Sequence, residues 1–440
     1  SVENGLLTAS MKQAKMPYET VFRAPLEIAD GQATISWLNN DKGFQLDGSD
    51  IDVKAKAVHA RGGFRYLQPA NDEPWLGILA GISTDDGSQA WRYFPENLMG
   101  KDLVDYLSGA IQGGEADNAT LVYGGNPQLF PYKHNEGQFE VLVPLRNAKF
   151  AFQPDWPALT NLDIELDFIN DGLWMKTDGV NLGGVRASNL TAVIPDYSKE
   201  KLLIDADIKG PGKAVGPYFD ETPLKDSLGA TLQELQLDGD VNARLHLDIP
   251  LNGELVTAKG EVTLRNNSLF IKPLDSTLKN LSGKFSFINS DLQSEPLTAS
   301  WFNQPLNVDF STKEGAKAYQ VAVNLNGNWQ PAKTGVLPAA VNEALSGSVA
   351  WDGKVGIDLP YHAGATYNIE LNGDLKNVSS HLPSPLAKPA GEPLAVNVKV
   401  DGNLNSFDLT GQAGADNHFN SRWLLGQKLT LDRAIWAADS

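Results

Sequence analysis

The sequence has no cysteine, few histidines and no long apolar run, and each absence excludes a class of protein. Without cysteine there are no disulfides, thiolate metal sites or cysteine nucleophiles. No stretch of about 18 or more apolar residues is present, so the sequence predicts no membrane-spanning helix. Acidic residues outnumber basic ones 54 to 36, for a net charge of −18. Because no basic face is available to neutralise phosphates, we expect neither nucleic-acid binding nor polybasic membrane docking.

Motifs for catalysis and metal binding are also missing. The chain contains no H-E-x-x-H, G-x-S-x-G, Walker or G-x-G-x-x-G pattern. No two of its six histidines lie within four positions of each other. The acidic segments 39–43 and 47–52 lack the glycine spacing and final glutamate of a calcium loop. We therefore predict no catalytic residue, no metal site and no cofactor, and we expect a protein that is not an enzyme.

Internal repeats give the first positive signal. Residues 159–170 read LTNLDIELDFIN, and residues 278–289, which begin 119 positions later, read LKNLSGKFSFIN. Strands that contain a proline recur as VFRAPL, FEVLVPL, LHLDIPL and VGIDLPY, with prolines at 25, 144, 250 and 360. Because proline cannot donate to a strand ladder, we expect each one to mark a strand end or edge at the same place in each unit. A spacing of roughly 110 residues is long for a simple solenoid, so each unit should contain several strands.

Alternation of apolar and polar residues dominates the rest of the chain. Residues 162–168 place leucine, isoleucine and phenylalanine on one face and only acidic residues on the other. Similar patterns predict strands at 139–143, 202–208, 241–249, 319–325, 355–359, 367–371 and 396–400. About 25 strands are expected in total, each with one dry and one wet face.

Helix is scarce, and the fold class is predicted to be mostly β with a few short helices. Three helices are expected at 95–112, 223–235 and 338–345, each starting at a proline. They suggest four units of one continuous segment, at 1–94, 95–222, 223–337 and 338–440. The chain opens with SVENGLLTAS, which resembles no signal peptide, so we expect an internal segment of a longer protein.

A sheet with so many strands and one apolar face has two ways to keep that face dry. It can fold into separate sandwiches, forming a structural or adhesive array that binds protein or glycan. Alternatively, it can curl into a long antiparallel trough, a β-groove that holds an extended apolar ligand such as acyl chains. Three features favour the groove: the repeats have no linkers between them, the helices are too few and too short to cover the apolar face, and the outer face is charged throughout.

The groove hypothesis names the inward residues. Substituting aspartate for Leu166 or Leu245 is expected to leave the fold standing while blocking lipid passage. The predicted lining is Phe139, Val141, Leu162, Ile164, Leu166, Phe168, Leu202, Ile204, Val241, Leu245, Leu247, Phe285, Phe287, Val321, Val323, Ile357 and Ile369.

The ten tryptophans leave two interpretations open. They can line a groove or pack between strands, and stacked surface tryptophans can also bind sugars. The segment WFNQP at 301–305 contains a turn that we expect to be exposed.

Several ordered motifs identify a family resemblance. The segments GKDLVDYLSGAIQGG (100–114), YFDETPLKDSLG (218–229) and WFNQPLNVDF (301–310), together with the repeated L-x-N-L…F-I-N, resemble the AsmA-like envelope proteins of Gram-negative bacteria. The resemblance implies a protein of the bridge-like lipid transfer type, anchored in the inner membrane. It would cross the periplasm and move phospholipid towards the outer membrane, contacting both membranes through regions outside these 440 residues. Its protein partners are not predicted.

Overall fold

The chain folds into one long antiparallel sheet with a few short helices. The computed structural model describes residues 1–16, 21–384, 386–426 and 429–438. Within these ranges, 25 strands belong to a single sheet, and two further short strands pair with each other. The predicted class, mostly β with one long antiparallel sheet, is confirmed.

The strands follow one another along the chain, and the helices lie in the longer connections between them. The first group comprises β1 (Glu3–Met16), β2 (Leu26–Asn40), β3 (Gly43–Ala55), β4 (Val58–Pro69), β5 (Trp75–Thr84), β6 (Ile111–Gly125), β7 (Gln138–Phe150), β8 (Leu159–Ile169), β9 (Gly172–Leu182), β10 (Val185–Ile194), β11 (Lys201–Pro211), β12 (Leu235–Asp238) and β13 (Asp240–Pro250). The second comprises β14 (Thr257–Ile271), β15 (Ser276–Ile288), β16 (Asp291–Ser294), β17 (Leu297–Trp301), β18 (Gln304–Glu314), β19 (Ala318–Trp329), β20 (Leu345–Gly347), β21 (Val349–Pro360), β22 (Thr366–Asp374), β23 (Val378–Ser380), β24 (Ala395–Asn403), β25 (Ser406–Ala413), β26 (Asn417–Leu425) and β27 (Leu429–Ala438). The short sheet is formed by β20 and β23.

Short helices occur in the three predicted regions and in one more place. The predicted helix at 95–112 is divided into α1 (Glu96–Met99) and α2 (Lys101–Ala110) at Gly100, whose φ of 87° is easily reached only by glycine. The predicted helix at 223–235 is a π-helical turn, Lys225–Gly229, followed by α4 (Ala230–Glu234). The third is α5 (Ala339–Ala344), and the additional helix is α3 (Val215–Phe219).

Cross-strand register keeps the apolar face continuous from strand to strand. On β19, Val323 lies opposite Phe310 of β18 and Val355 of β21. The preceding residue, Ala322, lies opposite small or polar residues on both neighbours. Since side chains alternate along a strand, every strand in this stretch contributes its apolar residues to the same face.

The sequence repeat encodes a local distortion of the strands. Asn161 of β8 and Asn280 of β15 occupy the same position in the repeat, and both have left-handed φ values, 52° and 54°. The pairing of each strand with its predecessor is irregular at this point. Asparagine tolerates this conformation better than most residues, so the repeated L-x-N-L motif specifies a bulge.

The prediction that each recurring proline ends a strand is correct for two of the four. Pro250 and Pro360 are the last residues of β13 and β21. Pro25 instead precedes β2, and Pro144 lies inside β7, so the prediction is wrong there. The pairing of β7 with β8 becomes irregular just after Leu145, and proline is tolerated in a strand next to such a bulge.

The chain divides into two compact units. Unit 1 contains Ser1–Leu182, Arg186–Asp207 and Leu245–Ala258, and unit 2 contains Gly183–Val185, Ile208–Arg244 and Lys259–Ser440. The four repeat units inferred from the sequence do not coincide with these boundaries and stay a prediction.

Candidate apolar groove

Unit 2 contains a cavity on the apolar face of its strands. About 1290 Å³ of space free of protein atoms lies between its lining side chains, including the part that opens to solvent. None of the described residues that line it is charged. The lining side chains are Leu228, Thr231, Leu232, Leu235, Leu237, Leu264, Leu269, Ile271, Leu274, Leu278, Leu281, Phe285, Leu292, Leu297, Trp301, Val308, Phe310, Thr312, Val321, Val323, Leu325, Val355, Ile357, Tyr367 and Ile369.

The sheet wall of the cavity is built by strands in exact side-chain alternation. Val321 on β19 lies opposite Ile357 on β21, which in turn lies opposite Tyr367 on β22. One step along, Val355 lies between Val323 and Ile369. These cross-strand rows give a continuous hydrocarbon surface, because each residue is flanked by apolar residues on both neighbouring strands.

Most of the few polar side chains in the lining are already hydrogen-bonded to other protein groups. Thr231 donates its hydroxyl to the carbonyl of Ser227 at 3.0 Å, and Trp301 donates its indole N–H to Ser276 at 2.7 Å. The hydroxyl of Thr312 lies 2.6 Å from that of Tyr319. Since these groups already have partners, the cavity offers a ligand mainly carbon surface.

A helical segment forms another part of this lining. Leu228 belongs to the π-helical turn, and Thr231 and Leu232 belong to α4. The turn also contacts β19. The cavity is therefore bounded by helix as well as by sheet, which the sequence did not predict.

Unit 1 presents a similar apolar face, and on β3 to β7 this face stays partly exposed. Phe64 on β4 lies opposite Ile78 on β5, and Ile78 lies opposite Tyr123 on β6. Tyr123 lies opposite Phe139 on β7, with the two ring centroids 6.0 Å apart. All four side chains are only partly buried.

On β8 and β11 the same face of unit 1 is closed by protein. Leu162 and Leu202 have no exposed surface, and Leu103 and Leu107 of α2 have none either. The ring of Phe94, just before α1, lies 6.1 Å from that of Phe168 on β8. The expectation that the helices are too short to cover the apolar face is therefore wrong here, because the segment containing α1 and α2 packs inward.

The predicted lining residues fall into three groups. Five of them, Phe285, Val321, Val323, Ile357 and Ile369, line the cavity of unit 2. Val241 is buried in the apolar core of unit 2, and Phe287 packs against that core. In unit 1, five are buried and five partly exposed. The buried ones are Leu162, Ile164, Leu166, Leu202 and Ile204, and the others are Phe139, Val141, Phe168, Leu245 and Leu247. Contact of any of them with lipid stays a prediction.

Sequence reasoning missed more than half of the cavity lining. Leu278 and Leu281 belong to the repeated motif, and Val308 and Phe310 alternate with polar residues, so a signal was present for these four. For Leu228 and Leu232 the helical contribution depends on tertiary packing, which no local pattern reveals.

The opposite face of the sheet is exposed to solvent and charged. Cross-strand ion pairs join Arg65 to Asp47 at 2.7 Å and Lys176 to Glu165 at 3.1 Å. His246 lies 2.9 Å from Asp205, so it is a partly exposed strand histidine of the charged face, as its alternation predicted. In the described part of the chain no cluster of three or more potential metal ligands occurs.

One carboxyl group of this outer face has an unusual environment. Burial of Asp167, together with its hydrogen bond to Glu140, raises the pKa of the Asp167 carboxyl to about 6. One of its carboxylate oxygens is buried without a hydrogen-bond partner. Asp167 lies opposite Trp174 on β9 and points away from the apolar face, so it is not a groove residue.

Comparison with known proteins identifies the family. The family model described as YhdP protein matches residues 1–440. The chain belongs to the YhdP family. It is 99% identical over all 440 residues to the Intermembrane phospholipid transporter YhdP of Escherichia coli (strain K12), and it spans 35% of the length of that relative. No solved structure matches the chain.

The family assignment confirms the resemblance seen in the ordered motifs. Among the described residues, no helix of the YhdP-family chain is both long and apolar enough to cross a membrane.

Proposed function

We propose that this chain is one segment of a non-catalytic conduit for phospholipid between two membranes, and that acyl chains occupy its apolar face. The proposal rests on the cavity of unit 2. Its described lining contains no charged residue, and three of its four described polar side chains have protein partners. The E. coli relative is an intermembrane phospholipid transporter, which supports phospholipid as the cargo.

The energetics explain why such a surface suffices. About 30 methylenes in two acyl chains cost roughly 24 kcal/mol to expose to water, at about 0.8 kcal/mol for each. A continuous carbon wall removes most of this cost without any specific chemistry. Headgroups would stay in water, since the part of the cavity wall that the structure describes contains no cluster of cations.

The location and the partners follow from the same proposal. The segment would lie in the periplasm, with inner-membrane anchoring and contact with the outer membrane supplied by other parts of a longer protein. An array of separate β-sandwich modules that binds protein or glycan is not favoured, because the described strands join one sheet rather than a series of closed pairs of sheets.

Native mass spectrometry of the purified chain tests the proposal. We expect phospholipid to co-purify and to be released from the protein as intact two-chain species. A chain that carries no lipid after gentle purification, and that takes up none from phospholipid vesicles, would contradict the proposal.

A further inference from the structure

Three tryptophans and one phenylalanine lie close together in unit 2, at one end of a group of neighbouring strands. Trp301 ends β17, Trp329 ends β19 and Trp351 lies near the start of β21. Because β19 and β21 are antiparallel neighbours, the end of β19 lies beside the start of β21, and Trp329 lies opposite Val349 there. We call Trp301, Phe302, Trp329 and Trp351 the tryptophan rim.

The rings of the rim form a connected chain of contacts. The ring centroids of Trp301 and Phe302 lie 4.8 Å apart, and those of Trp301 and Trp329 lie 6.3 Å apart. Trp329 and Trp351 are 4.8 Å apart and meet edge to face. Trp301 lines the cavity, while Phe302 is 37% exposed at the turn between β17 and β18. The rim therefore extends from the carbon-lined interior to water.

The indole nitrogens of Trp329 and Trp351 differ in their hydrogen bonding. Trp329 donates its N–H to the carbonyl of Pro305 at 2.7 Å. Trp351 Nε1 is buried and has no acceptor among the described residues, which is costly for a hydrogen-bond donor. Both indoles pack directly on Gly327, since a Cβ there would lie only 2.9 Å from Trp329 Nε1 and 3.1 Å from Trp351 Nε1.

Tryptophan favours places where one side of the ring is apolar and the other is wet, such as the headgroup level of a bilayer. We propose that the tryptophan rim marks the level at which the glycerol and ester region of a bound phospholipid lies, with its acyl chains extending into the cavity. This inference rests on the proposed function.

Fluorescence quenching by nitroxide-labelled phospholipids tests the inference. The chain would be loaded with phosphatidylcholine that carries the label on the headgroup, at acyl position 5 or at acyl position 12. The fluorescence signal of the rim is the emission of the unsubstituted chain minus that of the Trp351→Phe variant, which keeps an aromatic ring. Trp174→Phe is the matched control, because Trp174 is 39% exposed and alternates with the buried Leu173 and Met175, on the opposite face of its strand.

We expect the difference signal to be quenched at least twofold more by the headgroup and position-5 labels than by the position-12 label. The Trp174 signal should be unaffected by all three. Equal or stronger quenching by the position-12 label, or bound lipid without quenching of the rim, would overturn the inference and leave the proposed function standing. If a phosphorus assay finds no bound lipid with any label, the proposed function itself fails.

Discussion

A single carboxylate on the apolar face should block lipid, whereas the same change one residue away should not. Val323 lines the cavity and lies between Phe310 and Val355 on the neighbouring strands. Ala322 is exposed and points to the opposite face of the same strand. We expect Val323→Asp to abolish most lipid binding and Ala322→Asp to leave it unchanged.

The magnitude follows from the geometry of the wall. A hydrated carboxylate displaces hydrocarbon over about the width of one strand, roughly 4.8 Å, or about four methylenes. At about 0.8 kcal/mol for each methylene, the loss is roughly 3 kcal/mol, which corresponds to about a 100-fold weaker affinity. Val323 is only partly buried, so the aspartate can reach water and the fold should survive.

Uptake of a fluorescent phospholipid from vesicles measures the effect, with circular dichroism and thermal melting to verify the fold of both variants. If a folded Val323→Asp variant takes up lipid as well as Ala322→Asp does, hydrocarbon does not pass along this wall and the reasoning is refuted.

Three further predictions concern the fold. Leu166 is only 3% exposed, so Leu166→Asp should unfold unit 1 rather than only block lipid, seen as loss of the far-ultraviolet dichroism of a sheet. Since Asp167 has a raised pKa, its charge destabilises the folded state above about pH 6, and stability should rise as the pH falls towards 4. Asp167→Asn should therefore stabilise the chain by about 1 kcal/mol at pH 7.5, discounted for solvent exposure, and not at pH 4, as measured by urea unfolding. Gly62→Val should lower the melting temperature by several degrees, because its Cβ would lie 2.1 Å from the carbonyl oxygen of Leu79. Gly81→Val should lower the melting temperature less, because a Cβ there would have no described atom within 4 Å.

The strands and their inward faces could be predicted because the alternation is local. A residue such as Ile369 has polar neighbours on both sides in sequence, and this period of two survives in the folded sheet. The repeat at 159–170 and 278–289 was equally visible, and the structure adds that its asparagines adopt left-handed conformations.

The coverage of the apolar face could not be predicted in the same way. Leu162 and Ile369 both lie between polar residues in sequence, yet Leu162 is fully buried and Ile369 lines a cavity. The difference depends on where the helical segments pack, which involves residues far apart in the chain. The tryptophan rim was missed for the same reason, since Trp301, Trp329 and Trp351 come together only through the pairing of β17, β18, β19 and β21.

Crosslinking from the lipid itself shows whether hydrocarbon lies against the apolar face of these strands. A phospholipid with a diazirine near the middle of one acyl chain would be loaded into the protein and photolysed, and the adducts would be mapped by peptide mass spectrometry. We expect adducts on cavity residues such as Val323, Ile357 and Ile369, and none on the outward residues between them. Adducts spread equally over both faces, or confined to the outer face, would contradict it.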